Sequence, residues 1–256
     1  MKHTVEKIGG TSMSNYEAVK ENIFCKKTGD LYNRIFVVSA YGGITNALLE
    51  HKKTDVPGVY ALFTDAEDED AWRTALNDLR DQIHQINVEL FEDRRLLKKA
   101  NDFIDQRLYD AEQVLNNLQA LCQHGHFELE DHLLTVREML ASIGEAHSAW
   151  NTAHLLQLGG VNTKFVDLSG WNAQEAQPLD RVIHDAFSDI DLANDLTIVT
   201  GYAHCSEGLM STFDRGYSEM TFSRIAVITD AHEAIIHKEY HLSSADPAVV
   251  GERNSV

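Results

Sequence analysis

The residues best suited to chemistry open the chain: Lys7, Gly9, Gly10 and Ser12 within Val5-Glu6-Lys7-Ile8-Gly9-Gly10-Thr11-Ser12. Paired glycines can take φ > 0 and let backbone amides approach a ligand. Unpaired N–H groups at the start of a helix, with a lysine as mobile point charge, favour an anion such as phosphate. An ordinary strand-to-helix turn with a surface lysine fits this stretch equally well. It is neither Gly-x-x-x-x-Gly-Lys-Ser/Thr nor Gly-x-Gly-x-x-Gly. Further along, Gly144 interrupts a helical pattern next to Glu145, which implies either a close backbone neighbour or a ligand there. Ser211 to Glu219 gathers Arg215, small residues and a carboxylate before a helix, and arginine's planar fork suits carboxylate or phosphate. A polar loop is the rival reading. Cys122-x-His124-x-His126 lacks further ligands at metal-site spacing and reads as a loop, so no metal site is assigned.

Such residues need a scaffold, and the totals describe one. With 256 residues, 43% of them hydrophobic, the chain can bury a sizeable core. Forty acidic against 22 basic side chains leave a formal charge of −18, which repels nucleic acid and anionic lipid and requires local donors for any anionic ligand. So acidic a surface also suits a salt-rich cytoplasm. Cys25, Cys122 and Cys205 are too few and too scattered for a disulfide framework, which points to a reducing cytoplasm. No membrane span or signal peptide is expected from the hydropathy pattern.

Thr4 to Ile8 reads as a strand, and Ser14-x-x-Glu17 as a capping box opening a helix. Arg34 to Ala40 is an apolar run expected of a strand buried on both faces, followed by Tyr41-Gly42-Gly43 and a helix start at Ile44. Strand, glycine turn and helix, twice over, predict a mainly parallel sheet with ligands at the carboxyl ends of its strands. From Thr64 to about Leu121, Trp72, Leu76, Leu79, Ile83, Ile86 and Leu90, then Phe103, Ile104, Leu108, Ala111, Leu115 and Leu118, recur at helical spacing. They predict a long helical hairpin, with Thr64-x-x-Glu67 as its capping box and the acids from Asp65 to Asp70 at its positive end. Residues 133–156 read as another helix, Lys164 to Leu168 and Leu196 to Gly201 as strands, and Arg181 to Ser188 as helical.

Four segments in this order resemble the catalytic domain of aspartate kinases, in the amino-acid kinase family. They are Lys7-Ile8-Gly9-Gly10-Thr11-Ser12, Val37-Val38-Ser39-Ala40-Tyr41-Gly42-Gly43-Ile44-Thr45-Asn46, Ser142-Ile143-Gly144-Glu145 and Arg215-Gly216-Tyr217-Ser218-Glu219. The resemblance implies an open αβα sandwich of the carbamate-kinase-like type, with a mainly parallel sheet and the helical hairpin as an insertion at about 64–125. It implies a catalytic domain over residues 1–256 that is incomplete at its C-terminus and lacks ACT regulatory domains.

The activity implied is transfer of the γ-phosphoryl group of ATP to the β-carboxylate of L-aspartate, with Mg²⁺ on the phosphates and assembly as a homo-oligomer. By the same resemblance Lys7 is catalytic, and Lys7, Gly9, Gly10 and Ser12 hold phosphate. Ser39, Thr45, Glu145, Arg215, Ser218 and Glu219 hold the amino acid, with Arg215 on its α-carboxylate and Glu145 on its ammonium group. Tyr217 stands where the family has glycine, and Glu219 where it has aspartate. The nucleotide segment Thr-Asp-x-x-Gly appears as His237-Lys238-Glu239-Tyr240-His241, with Ser244-Ala245-Asp246-Pro247 kept. These variants resemble the aspartate kinases associated with synthesis of the osmolyte ectoine. The rival readings are a glutamate-type kinase and an inactive aspartate-binding fragment.

Overall fold

A computed structural model describes residues 2–26, 31–65, 70–171 and 173–238. The strands are β1 (Thr4–Ile8), β2 (Arg34–Val38), β3 (Thr163–Val166), β4 (Leu196–Thr200) and β5 (Glu233–His237). They form one parallel sheet in the order β3-β4-β2-β1-β5, the parallel α/β sandwich that the repeated glycine turns predict. Strands β2 and β4 are buried at every residue, which explains why their sequences are continuous apolar runs instead of alternating ones.

The helices between them are α1 (Gly10–Met13), α2 (Tyr16–Val19), α3 (Ile44–Leu48), α4 (Val59–Thr64), α5 (Ala71–Leu90), α6 (Arg94–Cys122) and α7 (Leu133–Leu158). After β3 come α8 (Leu179–Phe187), α9 (Leu209–Phe213) and α10 (Tyr217–Ile228). The hairpin is α5 and α6, but its start differs from expectation. Thr64 ends α4 and donates its hydroxyl to the Ala61 carbonyl, so it caps nothing downstream; residues 66–69, with Glu67, lie outside the described residues. At the other predicted capping box, Asn15 and not Ser14 caps α2, accepting from the Ala18 N–H at 3.3 Å. Ser14 instead accepts the Gly42 N–H at 2.8 Å and ties the first glycine turn to the second.

Helix α7 is buried on every side from Leu140 to Ala153, as a central helix must be. Two of its polar members, His147 and Asn151, bond across to the hairpin. Asn87 on α5 accepts from Asn151 at 2.8 Å and bonds the His147 ring at 2.7 Å, while donating to Asn101 at 2.9 Å. Burial pulls the His147 imidazole down to about 3, so it stays neutral. Gly144 resolves in favour of packing: a Cβ there would come within 2.9 Å of the Ala40 side chain and 3.0 Å of Ile44. The missing side chain lets α7 lie against α3, which in turn aims Glu145 at the sheet's carboxyl edge.

The lower part of the sheet carries an ionic cluster that local sequence does not announce. Glu6 on β1 is 1% exposed and accepts from Arg34 at 2.6 and 3.0 Å, from Thr4 at 2.9 Å, and pairs with His237 at 2.7 Å. Arg34 also donates to the carbonyls of Ile23 and Phe24, at 2.8 and 3.0 Å. Burial pushes the Glu6 carboxyl up, but the bonds from His237 and Arg34 outweigh it and hold it at about 2. A depressed carboxyl contributes stability above its unfolded pKa, near 4.5, and loses it as pH falls toward about 2. The difference corresponds to about 3 kcal/mol at neutral pH. Glu6→Gln is therefore expected to lower urea stability at pH 6 by about that amount, with the gap to wild type shrinking by at least about half at pH 3. A gap that is constant across this range would contradict a charge-dependent role.

Candidate active site

All but one of the residues expected to act converge where β1, β2 and β4 end. A cavity of about 260 Å³ is lined by Lys7, Gly9, Gly10, Ser39, Thr45, Glu145, Arg215, Ser218 and Glu219, together with Thr11, Tyr217 and the segment from Ala40 to Gly43. Ser12 is the exception: it lies within α1 and is not part of the lining.

The glycines act differently from expectation. Gly9 is extended (φ −74°, ψ 158°) and neither it nor Gly10 has positive φ. Gly10 is needed for space, because a Cβ would lie 2.5 Å from the Ala40 carbonyl oxygen, so the first turn of α1 can rest on the chain leaving β2. A Cβ on Gly9 would meet nothing within 4 Å, and that open side faces the cavity. The left-handed residue is Gly43 (φ 87°), which starts α3. Since α1 has four residues, its dipole is small, and the anion-attracting charge here is chiefly that of Lys7.

Lys7 is buried and its Nζ lies 2.9 Å from Glu219 Oε1 in the first turn of α10. Glu219, half exposed, thus holds the ammonium at the cavity without enclosing it. Glu145, 2% exposed, has its Oε2 without a hydrogen-bond partner among the described residues. Burial drives this carboxyl well above the usual range, Lys7 pulls it back and Glu219 pushes it further up. An orphaned acceptor of this kind, buried at the wall of a polar cavity, is a place for a cation with N–H donors.

Arg215 sits on a short turn between α9 and α10, next to Asp214, which holds the strained left-handed φ of 45°. Its guanidinium donates to Asn46 Oδ1 at 2.5 Å, to the Glu50 carbonyl, and to Glu50 Oε1 at 3.2 Å. Glu50 is itself gripped by Arg137 at 2.7 Å on both oxygens, and that bidentate bond keeps its carboxyl low. Glu50, Asn46 and Arg137 therefore position Arg215, a role that sequence reasoning missed because Arg137 is 87 residues from Glu50 with no local pattern joining them.

Tyr217, where the family resemblance expects glycine, is 2% exposed and packs edge-on to Tyr202 with centroids 5.6 Å apart. It forms part of the cavity wall. His237, in the segment expected near the nucleotide, is occupied by Glu6; residues 239–256, with Tyr240, His241 and Ser244 to Pro247, lie outside the described residues.

One further residue was overlooked. Gly201, directly after β4, would place a Cβ 2.8 Å from Glu145 Oε2, 2.8 Å from Ser218 Cβ and 2.9 Å from the Val38 carbonyl oxygen. Its only sequence signal was a glycine at a strand end. Gly201→Ala must displace Glu145 and α10 together, and a loss of about 2–3 kcal/mol in urea stability is expected. Wild-type stability in this variant would contradict the close packing.

The sequence model of the amino acid kinase family matches residues 2–253. The aspartate kinase Ask_Ect of Stutzerimonas stutzeri (strain A1501) is 55% identical over 251 residues, covering 97% of this chain and 53% of that protein. Escherichia coli aspartokinase III has a similar fold in two crystal structures, each 20% identical. In its R-state, with aspartate and ADP, the TM-score is 0.62 over 97% of this chain; in its T-state, with lysine and aspartate, it is 0.58 over 98%. The present chain spans about half the length of these relatives. No helix among the described residues is long and apolar enough to cross a membrane. With the parallel sheet, the two glycine turns and the cavity at its carboxyl edge, and with the family's sequence model matching residues 2–253, this chain belongs to the amino acid kinase family.

Proposed function

We propose that the chain phosphorylates the β-carboxylate of L-aspartate with ATP, giving 4-phospho-L-aspartate. The observation that carries this reading is the meeting of Lys7, Glu145 and Arg215 around one cavity, whose lining holds both an unpartnered Glu145 oxygen and a fixed guanidinium. A small amino acid has both complements, an ammonium for Glu145 and an α-carboxylate for the remaining donors of Arg215. The 55% identity to Ask_Ect supports aspartate as that amino acid and a product that feeds ectoine synthesis.

Phosphoryl transfer depends mainly on alignment and on cations facing the equatorial oxygens. Lys7 would leave Glu219 for the transferring group, and the open side of Gly9 would admit the phosphates. Ser39 and Thr45 would orient the β-carboxylate, which is already ionised and needs no general base. Ser218, buried beside Glu145, would complete the ammonium site, and Ser12 would act on phosphate only from within α1. Mg²⁺ carried in with the nucleotide would neutralise phosphate charge, beside the ammonium of Lys7. We further propose that the protein works in the cytoplasm, in line with its acidic composition and free cysteines, and, from the family resemblance alone, that it assembles as a homo-oligomer.

The test is a phosphorylation assay with aspartate and with glutamate, run beside calorimetry with each amino acid and with Mg-ATP. Turnover on aspartate at least about tenfold above glutamate is expected, since one methylene is worth about 1–3 kcal/mol in a fitted pocket. Equal or preferred use of glutamate would overturn the substrate assignment. Aspartate binding without any ATP binding at millimolar concentration would replace a kinase with a binding module.

A further inference from the structure

A second cavity, of about 220 Å³, lies between α6, α7 and the segments that follow β3 and β4, and shares no lining residue with the first. Its walls are aromatic and apolar, with Trp171, Tyr202 and Met139 prominent, yet two carboxylates, Asp110 and Glu138, line it as well. Among the described residues both accept hydrogen bonds only from neutral donors. Asp110 takes the Trp171 indole N–H at 3.0 Å and the Gln106 amide at 2.8 Å. Glu138 takes the Met210 N–H at 3.0 Å and the Tyr202 hydroxyl at 3.3 Å. Among the described residues neither carboxylate has an ion-pair partner, and the neighbouring Arg107 is committed to Asp167 and Ser169.

The wall is also shaped by glycine. Gly170 holds φ 68°, and a Cβ there would lie 2.5 Å from His204 Cβ, so the chain after β3 can close against the chain after β4 only with glycine at this place. Two uncompensated negative charges in a recess of aromatic faces attract one kind of guest: a positive group on an apolar body. The charge would be met by carboxylates with lone pairs to spare and by ring quadrupoles, and the body by Met139 and the ring faces.

We propose that this cavity binds a small organic cation, an ammonium or amidinium group on an apolar body of about amino-acid size. Tyr202 follows Gly201, and Ser142 stands one turn before Glu145 on α7, so the two cavities back onto the same short stretches of chain.

The test is calorimetry on the 256-residue chain with benzamidine, an amidinium on an aromatic ring, and with benzamide, its neutral isostere. Benzamidine is expected to bind at least about tenfold more tightly than benzamide. Asp110→Asn and Glu138→Gln, which keep the side-chain shape and one acceptor oxygen while removing the charge, should each weaken it about tenfold, the scale of one charge-assisted contact. Val114→Trp, which fills the recess from a half-exposed flank, should remove binding. Glu145→Gln should leave it within about twofold, because that carboxylate belongs to the other cavity. Equal binding of benzamide, no binding of benzamidine at millimolar concentration, or unchanged affinity in both carboxylate variants would overturn the proposal. Loss of binding in Glu145→Gln would do so too, by showing that the cation enters the catalytic cavity.

Discussion

Lys7→Ala is expected to lower kcat on aspartate about 10²–10³-fold, the usual cost of removing one preorganised charge from a transition state. Aspartate affinity should change by less than about tenfold, because the groups assigned to the amino acid are Glu145 and Arg215 and only the Coulomb field of Lys7 reaches them. The structure explains the split. Lys7 is buried on a sheet strand and salt-bridged to Glu219, so its ammonium is already placed before any phosphate arrives. Removing it frees Glu219, whose negative charge then faces the incoming phosphates and adds repulsion to the lost attraction. Parallel measurement of kcat and of the aspartate Kd by calorimetry decides the matter. An unchanged rate would contradict the role of Lys7; an equal fall in rate and affinity would move it to the amino-acid site.

Glu145→Gln should have two opposite effects. Aspartate binding is expected to weaken about 10²-fold, since a neutral amide cannot match the carboxylate's charge-assisted bond to an ammonium group. The folded chain without ligand should become more stable at pH 7, because Glu145 is buried with one oxygen unpartnered. The direction with pH follows from its raised carboxyl. The burial penalty is absent below the unfolded value near 4.5 and grows as pH rises toward the higher folded value. Thermal midpoints of wild type and variant should therefore approach each other near pH 4 and separate above it, with the variant higher. A variant that is less stable at pH 7 would mean that the carboxylate is satisfied in the free protein. A site that costs stability until its ligand arrives is the usual trade between folding and function.

The acid-labile cluster of Glu6, Arg34 and His237 makes the contrast with this site plain. Both carboxylates are almost fully buried, but Glu6 is surrounded by donors and held at about 2, whereas Glu145 is left short of them and raised. Burial alone raises a carboxyl, as at Glu145; at Glu6 the donors within reach reverse the direction.

Periodicity and glycine placement determined a good deal on their own. The runs Arg34 to Ala40 and Leu196 to Gly201 announce buried parallel strands because such strands have no polar face, and heptad-like spacing from Trp72 to Leu118 announces the hairpin. The four motifs, read in order, also named the lining of the cavity apart from Ser12. Helix starts were less legible: Ser14 and Thr64 have the residue types of a cap, but a side chain caps only where the chain enters the helix at its own position, and Asn15 and α4 took those places. What tertiary structure alone decided are the relations between distant segments. Gly10 needs room for a carbonyl that arrives from β2, Gly201 for a carboxylate from α7, and Arg215 takes its aim from Glu50, which is fixed by Arg137. Spacing along a chain reports one element's faces, while contacts of this kind depend on how separate elements cross, and only the packed fold brings them within a few ångströms.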